Sequence, residues 1–593
     1  MKRLALFLLL ASCITFAQQH YKTLNDRFSV PPYPTLEAWK ERAVYLREHI
    51  LASAGLLPMP EKTPLNTSIF DEQKHNDYSV FKVYFESLPG FFVTGNLYMP
   101  SGSGPFPAIL SPHGHWTYGR LENTELASVP GRAINLARQG FVVFAYDMIG
   151  YNDSRQLTHK FGGKKESLWG LSLAGLQLWN SIRSVDFLES LPAVDRNRIG
   201  CTGASGGGTQ TFLLAAVDNR IKAAAPVNMI SLHMQGGCLC ENLPGLRIDA
   251  NNVELAACIA PRPLLMVSAT GDWTNETMRL EYPEMRKIYA LFGAEDRVHA
   301  VQFQAQHNYN RQSREAMYAW MARWLKSAAV DATVSEKGFH PEMLPDLLVF
   351  YGRTLPANAV TAGQLTEDWI AAAKKQLAQS DPRLIHAAFR HALATSISNS
   401  QSGVSSNEVM GASKPQVRST GLSPLVVLAS DNRSKKLEGV LGTAGLKVKS
   451  VTFTPFDAES ASKISHFETY NRTQASQRVQ DIVQALVEAG KSSPAVILIA
   501  DGDAALAGLL AQAVVPVKQA ILDVDHFDNS SDETFVQRLY VPGIRRAGDF
   551  RTALSISHSK IVLHNAGENF KIAGAIVEKR KLNENEILNL LEK

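Results

Sequence analysis

Net charge is almost absent from this chain. A formal charge of +4 over 593 residues, with no basic run, gives no ground for a nucleic-acid partner. No glycine-rich motif for nucleotide phosphate occurs. Long apolar runs are missing too. The stretch Leu4 to Leu10 is too short to span a bilayer, and no other segment reads as transmembrane. Cysteine is scarce, at five residues. Cys238 and Cys240 stand too close in sequence to pair comfortably with each other. Cys201 and Cys258 lie in apolar surroundings that suit buried thiols. What is present is 45% hydrophobic and 20% charged residues, the balance of a globular protein. The length exceeds one ordinary core and predicts two or three domains.

The first residues read as an export signal. Lys2 and Arg3 precede the apolar run. Cleavage after Thr15-Phe16-Ala17 makes residues 1–17 a signal peptide and the product soluble, periplasmic or secreted. Leu10-Ala11-Ser12-Cys13 supports the alternative, a lipoprotein anchored at Cys13.

The most informative stretch is Gly200 to Thr209, which contains Gly203-Ala204-Ser205-Gly206-Gly207. A strand end precedes it and a buried helix follows. That context turns G-x-S-x-G into a sharp turn presenting a nucleophile. Side chains at Gly203 or Gly207 would clash in so tight a turn. The helix N-terminus behind Ser205 favours developing negative charge.

A serine nucleophile needs a base, an acid that orients it and an oxyanion hole. The apolar run Pro263 to Ala269 leads into Thr270-Gly271-Asp272-Trp273, which sets Asp272 at a strand's C-terminal edge. The alternating segment His299 to Gln304 leads to Gln306-His307-Asn308, which sets His307 at another. Open parallel sheets gather their chemistry at that edge. Phe106 to Ser111 reads as a strand running into Pro112-His113-Gly114-His115-Trp116. Its small residues allow backbone N–H groups of Gly114 or His115 to join that of Gly206 in an oxyanion hole. His113 and His115 form only a weak metal pair, with no carboxylate beside them. Structural or substrate-contacting roles are preferred, and no metal or cofactor is expected. Glu241, Asp249 and Glu276 rival Asp272, while His233 and His299 rival His307. Asp147 also ends a strand, with a structural role preferred.

Around these residues the chain alternates strand and helix, the pattern of a mostly parallel sheet covered on both faces. Residues 18–75 carry helix signals. Val80 to Glu86 and Phe91 to Met99 predict two strands joined at Pro89-Gly90. Val227 to Glu254 breaks the rhythm and is read as a pocket wall or partial lid.

Together these residues resemble the α/β-hydrolase superfamily, and within it the exported bacterial acetyl xylan esterase and dienelactone hydrolase-like enzymes. The resemblance covers roughly residues 30 to 326 and rests on Pro112-His113-Gly114-His115, the Ser205 turn, Thr270 to Trp273 and His307. It implies an α/β-hydrolase fold and a metal-free acyl-serine mechanism. Ser205, His307 and Asp272 would act as nucleophile, base and orienting acid, with a carbohydrate ester, acetyl foremost, as substrate. His113, Trp116 and Trp273 are candidate substrate contacts. Small non-sugar esters and glucuronoyl-type esters are alternatives, although glucuronoyl esterases carry Arg after the nucleophile and this chain has Gly206. A prolyl-oligopeptidase-like peptidase is a further rival, but the N-terminal segment is too short for a propeller. A binding protein on a hydrolase scaffold is the non-enzymatic one.

The implied organisation is a signal peptide at 1–17, a helical segment at 18–75, the hydrolase domain at 76–330, helices and a linker at 331–420, and a second α/β domain at 421–593. The second domain reads as a degenerate hydrolase-like copy. Pro424 to Ala429 falls on the strand before His113, Gly445 to Val451 on the strand from Phe141, and Pro494 to Ala504 on the nucleophile turn. Ile561 to Asn569 falls on the acid strand. Asp503 is expected at the nucleophile position and Glu568 at the acid, with no histidine to match His307.

Overall fold

The computed structural model describes residues 20–330, 332–397, 424–430 and 435–591. The expected signal peptide, Cys13 and the linker from Gln401 to Thr420 lie outside them. Nine strands form the first sheet: β1 (Ser68–Lys74), β2 (Tyr78–Leu88), β3 (Phe91–Pro100), β4 (Phe106–Leu110), β5 (Val142–Tyr146), β6 (Val194–Ala204), β7 (Ile221–Val227), β8 (Leu264–Gly271) and β9 (Val298–Gln306). Their order is β1-β2-β3-β5-β4-β6-β7-β8-β9. The first three strands run antiparallel, and every pair from β5 to β9 is parallel.

Alternation sorts the side chains. Val142, Phe144 and Tyr146 enter one core, while Val143 and Ala145 enter the other. The helices Leu173–Ser190 and Gly206–Val217 cover the first face. Val129–Arg138 and Arg311–Lys326 cover the second. Serines start two of these helices. The Ser128 hydroxyl accepts from the Gly131 N–H at 3.0 Å, and that of Ser172 from Gly175 at 3.1 Å.

Residues 18–75 depart from the expected helical segment. One helix, Leu36–Ser53, is capped by Thr35, but Ser68–Lys74 is the edge strand β1. That strand is half exposed and carries Asp71, Glu72 and Lys74. Its apolar alternation is too sparse to be read.

Six strands form a second sheet: β10 (Leu425–Ala429), β11 (Lys447–Ser450), β12 (Val496–Asp501), β13 (Gln519–Asp523), β14 (Lys560–His564) and β15 (Ile576–Val577). All pairs are parallel, in the order β11-β10-β12-β13-β14-β15. This repeats the first sheet's order β5-β4-β6-β7-β8-β9 strand for strand. The flavodoxin-like order begins the same way, so topology alone does not single out a hydrolase.

One position in this sheet differs from expectation. The residue that follows β12 with Ser205's left-handed φ is Gly502, at 56° against 59°. Asp503 falls one residue later and pairs with Arg538 at 2.8 Å. Glu568 is 81% exposed and pairs with Lys579 at 2.5 Å.

The two sheets share one continuous hydrophobic cluster, running from Trp39 through Phe212 to Leu498 and Phe570. Arg546 is buried in the seam. Its Nε donates to the Gly55 carbonyl at 3.1 Å and its Nη2 to that of Pro58 at 2.6 Å. His49 lies there too. One ring nitrogen faces the Gly245 carbonyl and the other His391 Nδ1, each at 3.2 Å.

Burial pushes the His49 imidazole down to about 4, against the pull of Asp249 3.9 Å away. Folded His49 therefore stays neutral where an unfolded chain would protonate it. Its contribution is complete above pH 6.5 and is lost as pH falls through 4, by up to about 1.4 kcal/mol per pH unit. Thermal melts between pH 8 and pH 4 should show falling stability. The slope should be shallower in His49→Gln, and equal slopes would refute the assignment.

Candidate active site

Ser205 caps the end of β6 with φ 59° and ψ −126°, a region L-residues avoid. Its N–H donates to the Val227 carbonyl at 3.0 Å. The neighbouring glycines have no room for side chains. A Cβ on Gly207 would sit 2.7 Å from the His113 and Pro112 carbonyl oxygens, and one on Gly203 2.6 Å from those of Gly207 and Pro112. Gly114 packs against the turn, where a Cβ would meet the Ala204 carbonyl at 2.8 Å and Ser205 Cβ at 3.1 Å. The segments bearing Gly114, His115 and Gly206 thus converge on Ser205.

Asp272 follows β8 and His307 follows β9. The His307 Nδ1–H donates to Asp272 Oδ2 at 2.8 Å. The other carboxylate oxygen accepts from the Thr274 N–H at 2.7 Å and its hydroxyl at 2.5 Å. Asp272's side chain is 2% exposed and His307's 25%. His307 Nε2 is buried and has no hydrogen-bond partner among the described residues. The ring lies between two indoles, with centroids 4.4 Å from Trp273 and 5.9 Å from Trp116.

The rivals are placed elsewhere. His233 and His299 are exposed. Glu276 pairs with Arg27, and Asp249 with Arg42 and Tyr45. Glu241 accepts from the backbone of Gly237 and Cys238. Asp147 is structural. It is buried with Arg120 and accepts from the Thr94 hydroxyl and the Asn152 amide.

His113 takes the structural of its two expected roles. It is fully buried, its Nδ1–H donates to the Gly114 carbonyl at 2.7 Å, and its Nε2 accepts from the Met148 N–H at 2.9 Å. With both nitrogens occupied, the ring ties two loops together and has nothing left for substrate. Burial holds its pKa down at about 3.

His115 has unexpected company. Its Nε2 lies 3.1 Å from Cys240 Sγ and 3.2 Å from His159 Nε2, with Cys238 adjoining. All four described cysteines are free thiols. The Cys238-Leu239-Cys240 spacing was a usable signal, whereas His159 carried none.

The open sheet, the strained serine and the Asp272–His307 pair define an α/β-hydrolase. The sequence comparisons agree. A family model described as acetyl xylan esterase matches residues 60–231. The Bacillus subtilis protein YtaP, named as a hydrolase, is 25% identical over 300 residues, 47% of this chain and 98% of its own. A solved methylesterase, BT1017, is 30% identical at a TM-score of 0.47, over 58% of this chain and 78% of that one. A glucuronoyl esterase from Caldicellulosiruptor kristjansonii is 16% identical at a TM-score of 0.36, over 56% and 97%. The chain belongs with the α/β-hydrolase esterases and resembles the acetyl xylan esterases. Among the described residues, no helix is long and apolar enough to cross a membrane.

Proposed function

We propose that this protein is an exported serine esterase that hydrolyses carbohydrate esters, acetyl esters foremost, through an acyl-serine intermediate. The observation that carries the reading is the state of His307. One nitrogen is committed to a buried carboxylate, and the other is buried and unpartnered on the sheet edge that bears Ser205. In this reading Ser205 Oγ attacks the ester carbonyl and His307 Nε2 takes its proton. Asp272 fixes the tautomer and stabilises the imidazolium. Backbone N–H groups of Gly206 and of Gly114 or His115 receive the oxyanion. His307 protonates the departing alcohol, then activates the water that releases the acid.

Trp116 and Trp273 flank the base and offer apolar faces of the kind sugar rings stack on. The residue after the nucleophile bears on substrate choice. A Cβ on Gly206 would lie 2.6 Å from His115 Cε1, so an arginine there would displace that ring. This counts against the glucuronoyl alternative.

The test is a substrate panel run on wild type beside Ser205→Ala: p-nitrophenyl acetate, acetylated xylan, a glucuronoyl ester and a methyl-esterified polyuronide. Release of acetate from both acetyl substrates, abolished in the variant, is the expected result. Cleavage of the uronoyl esters alone would overturn the acetyl assignment. Equal activity in the variant would overturn the serine mechanism.

A further inference from the structure

We propose that His115, His159, Cys238 and Cys240 bind one tetrahedral divalent cation, with zinc the ion their donors suit. Three separate segments supply the donors, whose ligating atoms all lie within 4.8 Å of one another. Two cysteines and two histidines form a common donor set for structural zinc. A tetrahedron with ordinary zinc–nitrogen bonds places its two nitrogens roughly 3.3 Å apart. The two Nε2 atoms here are 3.2 Å apart.

The protons tell the same story. His159 Nδ1 faces the Ile149 carbonyl at 2.6 Å and must carry the hydrogen. A neutral ring then aims the Nε2 lone pair at His115 Nε2, which also faces Cys240 Sγ. One proton on His115 cannot serve both contacts, whereas a cation at the centre serves all four. A histidine anchored through its far nitrogen to a carbonyl is the usual support of a metal ligand.

The cysteine turn is held in advance. Glu241 Oε2 accepts from the N–H groups of Gly237 at 2.8 Å and Cys238 at 3.0 Å. The Asn242 amide donates to the carbonyls of Gly236 and Cys238. Buried Arg247 donates to the Glu241 carbonyl and to Asn242 Oδ1. From the second sheet's half, the Tyr470 hydroxyl reaches Asn242 Oδ1 at 3.0 Å. Two thiolates and two neutral imidazoles neutralise a dication and fill its four positions. The ion would therefore supply no Lewis acid. It would pin the Cys238 turn to His115, whose ring packs against Gly206.

The experiment measures zinc by mass spectrometry in the full-length protein purified without chelator, then exchanges it for cobalt. The expected result is about one ion per chain and the visible absorption of tetrahedral, thiolate-bound cobalt. Thiol reagents should label Cys238 and Cys240 only after a chelator is added. His159→Ala, and Cys238→Ser with Cys240→Ser, should each lower zinc affinity roughly 100-fold or more. If those variants do not fold, the wild-type cobalt spectrum and thiol protection still decide. Metal-free protein with no cobalt spectrum would overturn the proposal. So would a disulfide between Cys238 and Cys240, or thiols labelled equally with and without chelator.

Discussion

Ser205→Ala is expected to lower kcat on p-nitrophenyl acetate by roughly 10⁴-fold or more, with little change in Tm. Alanine keeps the Cβ, so the strained backbone and its packing against Gly114 are retained. Only the nucleophilic oxygen is lost. His307→Ala should cost a similar factor, because Ser205 then has no base. The double variant should be no worse than either single, since the pair acts as a unit. Steady-state rates for the three variants, with melting curves beside them, check this. Multiplying losses would mean that the two side chains act independently. A large drop in Tm for Ser205→Ala would make its activity loss uninformative.

The largest effect on stability is expected at Arg120. This buried guanidinium lies 3.2 Å from Asp147 and 2.5 Å from Asp153, and its Nη2 also donates to the Leu347 carbonyl. Arg120→Met leaves two carboxylates without their cation, which costs about 3–5 kcal/mol when a buried pair is broken. Burial already pushes Asp147 up to about 6 against the pull of Arg120. Without that pull, Asp147 can fold cheaply only when protonated. The penalty should therefore be larger at pH 8 than at pH 5. Adding Asp147→Asn should recover part of it. Denaturant unfolding at the two pH values checks both statements, and a pH-independent loss would assign the damage to packing instead.

The residues of the candidate site were readable because each sits in a local context with its own signature. Ser205 has glycines on both sides and an apolar helix behind it. Asp272 and His307 each follow a strand-length apolar or alternating run. The physical requirement is local, so a local reading finds it. The structural role of His113 could not be told from a substrate contact in the sequence, for the opposite reason. Whether a histidine is spent on the backbone depends on Met148, which only the folded sheet brings near. The cluster around His115 draws on residues up to 125 positions apart in sequence. No spacing rule reaches that far. The shift from Asp503 to Gly502 shows a third limit. Matching two strands by eye fixes their order well, but their ends only to within a residue, and the nucleophile position is a single residue.

The seam between the sheets has a consequence for how such a chain can change over generations. Glu468 and Thr469 accept hydrogen bonds from the backbone of Gly245 and Arg247, the segment that follows the cysteine turn. Substitutions there would be felt in the segment that follows the cysteine turn. Whatever its origin, the second half is then constrained by its neighbour's needs. A collection of homologues would show its invariant positions along the line of contact.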